Sequence, residues 1–281
     1  MKLWPLENLP EIPNLKLAVV GHVEWVTFLS IDKCPQAGVI SHGEIYQEEP
    51  AGGGAVTAVK IARLIRSPVH LFTALGRDRE GKKSFKRLQQ LGLKVSVAWR
   101  DQPTRKGISM LDKKGERAIT VIGNRLQPEA KDQLPWDELI NYDGVFITAT
   151  DSDALPLCRK ANVMIASPRI GLNKFQGSTV TLDALIGSAL DPDEQINSAS
   201  IQPSTRLRIA TEGAMGGKAW PGGRFETFKL KSKVIDAYGC GDSFAAGVTT
   251  GLSAGWSTEK AISLGAYCGS ECATHLGPYL N

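Results

Sequence analysis

Apolar residues in this chain fall into short runs separated by polar or amphipathic stretches. Leu17-Ala18-Val19-Val20-Gly21 reads as a buried strand that ends in glycine. Runs of the same kind recur at 69–75, 145–149, 163–166, 182–186 and 207–211. Their length and the turn residues at their ends mark strands rather than helices. Residues 82–91 show the other period: Phe85 and Leu88 fall on one face and Lys82, Lys83, Lys86 and Arg87 on the other, as in a helix lying on a core. The small-residue run 244–252 and the stretch 258–273, with Gly265, Ala266 and Gly269, predict two more helices. Residues 38–46 alternate weakly and predict a strand paired with 25–29. Residues 107–112 and 117–122 flank Lys113-Lys114-Gly115, a hairpin signal, and a second hairpin is expected around Pro221-Gly222-Gly223. Strands alternating with helices predict an α/β fold with a mostly parallel sheet covered on both faces.

The chain has 281 residues, enough for one large α/β domain, and is read as a single domain over 1–281. Its net charge of +4 is scattered along the sequence, so no nucleic-acid partner is expected. The cysteines Cys34, Cys158, Cys240, Cys268 and Cys272 show no C-x-x-C spacing, which fits a reduced, cytoplasmic protein. Pro5, Pro10 and Pro13 interrupt the first residues, and no apolar run has the length of a signal peptide core or a membrane span.

Chemistry concentrates in Asp236-Ala237-Tyr238-Gly239-Cys240-Gly241-Asp242-Ser243-Phe244-Ala245-Ala246-Gly247. Glycines on both sides of Cys240 let the backbone turn sharply and a ligand come close. A turn that opens a helix leaves unpaired N–H groups aimed at one spot, which favours an anion. A carboxylate at that spot makes sense if it takes a proton while the N–H groups of 239–242 steady negative charge. That is the chemistry of phosphoryl transfer to a hydroxyl, with Asp242 as base and Gly239, Cys240 and Gly241 in the anion hole. The same residues also suit an ordinary helix cap.

This stretch resembles the C-terminal signature of the ribokinase-like carbohydrate kinases (the ribokinase / phosphofructokinase-B family), D-T-x-G-A-G-D-x-F-x-x-G. Asp236, Gly239, Gly241, Asp242, Phe244 and Gly247 match, while Ala237 replaces the usual Thr and Cys240 the usual Ala. Other segments resemble the family in the same order along the chain. His22-Val23-Glu24 follows the first strand where the family carries N-x-D, so Glu24 stands for a substrate-binding Asp; a solvated loop would look the same. Gly52-Gly53 matches G-G-x-x-x-N, with Thr57 in place of Asn. Thr104-Arg105 matches a T-R pair, and Arg105 could meet a phosphate or hydroxyl of the substrate or lie on the surface. Ser188-Ala189-Leu190-Asp191 takes the place of N-x-x-E, so Asp191 would position Mg²⁺ through water, or simply cap a helix. Thr211-Glu212-Gly213-Ala214-Met215-Gly216 resembles the nucleotide loop T-x-G-x-x-G; it is not a Walker A loop, whose spacing differs.

The resemblance implies a three-layer α/β/α sandwich with a small β lid over about 23–49 and 99–123. It implies nucleotide contacts at Thr211, Gly213, Gly216, Gly241 and Cys268, a monovalent cation such as K⁺ near Asp236, and a homodimer formed through the lid. The activity it implies is an ATP- and Mg²⁺-dependent kinase acting on a hydroxyl of a sugar or sugar-like metabolite. The changed substrate and Mg²⁺ motifs leave open a kinase-like protein that binds without catalysis. A Rossmann dehydrogenase is disfavoured, because no G-x-G-x-x-G follows the first strand.

Overall fold

The computed structural model describes residues 1–113, 115, 117–171, 178–195, 205–229 and 232–280. The chain opens with β1 (Leu17–Val20), β2 (Glu24–Ile31) and β3 (Gly43–Ala51), then α1 (Gly53–Ile65), β4 (Val69–Gly76), α2 (Arg79–Gln90) and β5 (Leu93–Arg100). The hairpin β6 (Lys106–Asp112) and β7 (Arg117–Ile122) follows, then β8 (Gly144–Ile147), α3 (Leu155–Cys158), β9 (Val163–Ala166), β10 (Leu182–Ser188) and β11 (Thr205–Thr211). Another hairpin, β12 (Gly217–Trp220) and β13 (Gly223–Phe225), precedes α4 (Cys240–Ser253) and α5 (Thr258–Cys272).

Among the described residues these strands form two sheets. The larger has the order β13-β12-β11-β10-β9-β8-β1-β4-β5, and the smaller β3-β2-β6-β7. From β11 to β5 the large sheet is parallel, and the β12–β13 hairpin adds an antiparallel edge. A parallel strand is buried on both faces, which is why β1 reads as an unbroken apolar run and β4 as a mostly apolar one, with His70 and Thr73 buried in it. Side chains of β1 alternate between two cores: Leu17 and Val19 join the residues of α1, α4 and α5, while Ala18 and Val20 join Trp136, Leu139, Leu155 and Cys158 on the other face. The second helical layer is thin where it is described, consisting of α3 and short 3₁₀ turns.

The small sheet sits where the lid was expected, with β2 antiparallel to β3, parallel to β6, and β6 antiparallel to β7. Two boundaries differ from the sequence reading. The strand expected over 38–46 runs instead from Gly43 to Ala51, and residues 99–100 close β5 in the large sheet rather than entering the lid.

Helices α4 and α5 approach backbone to backbone. A Cβ on Gly247 would lie 2.7 Å from both Cα and N of Gly265. Ser257 caps α5 by accepting from the Lys260 N–H. This close pair, packed on α1, fixes the direction in which the N-terminus of α4 points.

Candidate active site

In chain order the sheet grows from β1 to β4 and β5 on one side, then returns to β8 on the other. The carboxyl ends of β1 and β8 therefore flank a switch point, the place where open α/β sheets receive ligands. His22 follows β1 and Thr148 follows β8. His22 Nε2 accepts from the Gly53 N–H at 3.4 Å, so its proton sits on Nδ1 and is donated to Thr148 Oγ1, also at 3.4 Å. Burial, with Arg125, Arg105 and Arg169 nearby, holds the His22 pKa well below its ordinary value and keeps the ring neutral. Glu24, the first residue of β2, is buried beside it and pairs with Arg105 Nη1 at 3.2 Å. Burial raises the Glu24 pKa, and Arg105 opposes that rise.

The N-terminus of α4 faces the same space. Gly239 has φ +78°, a conformation that suits glycine, and it lets the chain enter the helix without a side-chain cap. The Cys240 N–H is drawn towards the Ala237 carbonyl at 3.4 Å. The amides of Gly241 and Asp242 lie in the first turn, where the helix itself offers no carbonyl. The Asp242 carboxylate accepts no hydrogen bond from any described residue, so it is not acting as a cap. Burial pushes the Asp242 pKa up to about 6; Arg169 pulls it down, and Glu194 and Glu24 push it up. Arg169 is itself held by Asp191 Oδ2 at 3.0 Å and by Glu194.

Two cavities meet at this helix end. The first, of about 670 Å³, is lined by His22, Glu24, Gly52, Gly53, Arg105 and Asp242, among others. The second, of about 560 Å³, is walled by Phe225, Phe228, Val234, Phe244, Ala266 and Ala273. Thr211, Gly213, Ala237, Cys240 and Gly241 line both. A polar chamber thus joins an apolar one across a glycine turn with free amides.

Most of the residues singled out from the sequence converge here. Gly239, Cys240, Gly241, Asp242, Glu24, Gly52, Gly53, Arg105 and Asp191 line the first cavity; Thr211 and Gly213 stand at the junction; Gly216 lines the second. Three do not fit their expected places. Thr57 is fully buried on α1 and its hydroxyl donates to the Asp242 carbonyl at 3.4 Å, so it braces α4 and lies off the cavity wall. Cys268 is fully buried on the core side of α5, whereas its neighbours Ala266, Gly269 and Ser270 face the second cavity. The Asp236 carboxylate accepts from the Tyr238 and Gly277 N–H groups and meets Arg117 at 3.4 Å. With its oxygens so engaged and a guanidinium beside it, this carboxylate does not suit a monovalent cation. Asp191 accepts from the Asp193 N–H as the cap of a 3₁₀ turn while its other oxygen holds Arg169.

Sequence reasoning missed Arg117, Arg125, Arg169 and Glu194, all on the wall of the first cavity. One signal could have flagged Arg169: it follows β9, at the carboxyl end of a parallel strand.

The profile of the pfkB family carbohydrate kinases matches residues 14–167 and 181–281. The chain belongs to this family. Its members are phosphotransferases with an alcohol group as acceptor. Over 94% of its length the chain is 26% identical to the ATP-dependent ribose-1-phosphate kinase of Halopiger xanaduensis, covering 93% of that protein. Among solved structures, the ribokinase of Thermotoga maritima superposes with a TM-score of 0.71 at 22% identity, with 94% of each chain covered. The Arabidopsis thaliana ribokinase, solved with ribose and ATP, gives 0.69 at 18% identity, again over 94% of each chain. At these identities the two structures show the ribokinase fold. No helix among the described residues is long and apolar enough to cross a membrane.

Proposed function

We propose that this pfkB-family kinase moves the γ-phosphoryl group of ATP to a hydroxyl of a sugar or sugar-like acceptor, with Asp242 as the general base. The observation that carries the reading is the meeting of the two cavities at the N-terminus of α4, beside a carboxylate that accepts no hydrogen bond from any described residue. The apolar chamber suits a nucleoside, the polar one a hydroxyl-rich acceptor, and the junction the phosphates between them. The Arabidopsis ribokinase, solved with ribose and ATP, supports a site that takes both a sugar and a nucleotide. Asp242 takes the acceptor proton as the new O–P bond forms and the bond from the γ-phosphorus to its bridging oxygen breaks, releasing ADP. The amides of Gly241 and Asp242, with the helix dipole behind them, steady the charge on the transferring group. The reading predicts a phosphorylated product and ADP in equal amounts when the protein is given ATP and a panel of sugars; ADP formed without phosphorylated product would overturn it.

Among the described residues no three His, Cys, Asp or Glu side chains converge as a metal cage. Mg²⁺ needs no such cage when it arrives on nucleotide phosphates; Asp191 and Glu194 already hold Arg169, so they would reach it only through water, never as direct ligands. Bound there, it would neutralise phosphate charge. Asp191→Ala is expected to raise the Mg²⁺ concentration needed for half-maximal rate and leave acceptor KM alone. An unchanged Mg²⁺ dependence would leave Asp191 only as the cap and the partner of Arg169.

Arg169 is the cation that restrains the Asp242 pKa. Arg169→Gln should therefore move the acidic limb of the kcat profile to higher pH than in the parent. If the limb stays in place, Arg169 does not set the charge of the base.

A further inference from the structure

Four arginines line the acceptor cavity: Arg105, Arg117, Arg125 and Arg169. Three have carboxylate partners: Arg117 has Asp236, Arg169 has Asp191 and Glu194, and Arg105 has Glu24. Arg125, half-buried just beyond β7, has no ion pair or hydrogen bond to any described residue. Its neighbour Arg105 contacts Glu24 through the end of its fork, and the Arg105 Nε is buried with no hydrogen-bond partner among the described residues. The backbone explains why the two sit together. Arg105 immediately precedes β6, Ile122 closes β7 opposite Lys106, and a Cβ added to Gly123 would lie 4.0 Å from the Arg105 Cα. At this end of the cavity two guanidiniums therefore face one carboxylate, and that carboxylate is itself pushed towards its neutral form by burial. Burial, and then crowding by Arg105, lower the Arg125 pKa, and Glu24 opposes the shift only in part. A partly desolvated guanidinium with idle donors is costly unless something anionic completes it.

We infer that the acceptor carries a phosphate monoester that docks on Arg105 and Arg125, while the hydroxyl to be phosphorylated lies at Asp242. The inference rests on the kinase reading and deepens it by naming the acceptor class: a sugar monophosphate rather than a free sugar. A phosphate dianion has three terminal oxygens, enough to take both the idle Arg105 Nε–H and a bidentate fork from Arg125. Glu24 would then orient Arg105 and meet sugar hydroxyls, since an ionised carboxylate could not itself hold a phosphate.

The test pairs pentose and hexose monophosphates with their unphosphorylated parents and with the matching sugar acids. Binding is read by titration calorimetry without nucleotide, and turnover with ATP. The phosphorylated member of a pair should win by roughly 10–100-fold in Kd and in kcat/KM, as charge-assisted hydrogen bonds provide. Arg125→Gln should remove most of that advantage through KM while the affinity for ATP holds, and Arg125→Lys should restore part of it. On the unaltered protein, affinity for the monophosphate should fall as salt rises while affinity for the neutral parent does not. This last arm needs no variant to fold. Equal use of neutral sugar and monophosphate, preference for the sugar acid, or an Arg125→Gln protein with unchanged KM would each overturn the inference. Monophosphate binding that depends on Arg125, without turnover of any acceptor, would support the anion site and sink the kinase reading. Turnover of neutral sugars alone would do the reverse.

Discussion

Asp242→Asn should lower kcat by about 10²–10⁴-fold, the usual contribution of a positioned general base. Asparagine keeps the shape of the side chain and its place in the first turn of α4 but cannot accept the hydroxyl proton. Affinity for ATP should hold or rise, since a carboxylate near the phosphates is removed. The parent rate should climb with pH through about 6, where Asp242 ionises, and then level off; the residual rate of the variant should lack that limb. Stability gives an independent check. The folded-state pKa lies above the ordinary 3.8, so the fold favours protonated Asp242. That preference contributes fully below about pH 4 and is lost as pH climbs through about 6. Asp242→Asn should therefore melt no lower than the parent at pH 8, and higher if the strain of ionising the buried carboxyl is large. A folded variant that turns over like the parent would remove Asp242 from the role of base.

Gly247→Ala is expected to lower the melting temperature by several degrees and to cost activity with it. In an ordinary helix interior, alanine would gain roughly 1 kcal/mol over glycine. Here the added Cβ would fall 2.7 Å from the Gly265 Cα and N and 2.8 Å from the Leu264 carbonyl carbon. Those are backbone atoms, so the clash is relieved only by moving one helix off the other. Overpacking of this kind costs about 1–3 kcal/mol, which outweighs the propensity gain. The catalytic loss follows because α4 carries Asp242 at its tip, and a displacement of about 1 Å can cost 10²-fold in rate. A variant that melts at or above the parent temperature would show that the helix pair can open without strain.

Much of the fold could be read because a parallel strand leaves a plain mark: 163–166 was read at the bounds of β9, and the hairpin of β6 and β7 within one residue. β3 was misplaced because Glu48, Glu49 and Pro50 weigh against a strand. They are tolerated because β3 lies at the edge of the small sheet, where a missing N–H does no harm, and because the buried Glu49 is paired by Arg87. The signature loop and Glu24 were legible because glycine spacing and a carboxylate after a strand carry chemistry locally. Arg125, Arg169 and Glu194 were not. Each sits in a connecting segment outside any recognisable pattern and looks like a surface charge until the sheet order brings the ends of β7, β9 and β10 around one cavity. Thr57 and Cys268 differ for the opposite reason: both sit on helices beside the site, but their side chains turn into the buried interior, which one position in a sequence does not reveal.

The small sheet is built into the site at each of its roots. Glu24 begins β2, Ala51 ends β3 beside Gly52, Arg105 precedes β6, and Ile119 and Val121 of β7 face the acceptor space. Arg117, where β7 begins, lies over the Tyr238 ring and reaches Asp236, the first residue of the signature stretch. An acceptor that engages Glu24 and Arg105 thus grips the sheet that covers it, and its occupancy and the fluctuations of that sheet are one equilibrium. A well-fitting acceptor should slow amide hydrogen exchange through β6 and β7 far more than ATP alone does. The protein would then time the drying of its phosphates by the arrival of the molecule that is to receive one, so that ATP held without an acceptor stays wet, loosely covered and largely unspent.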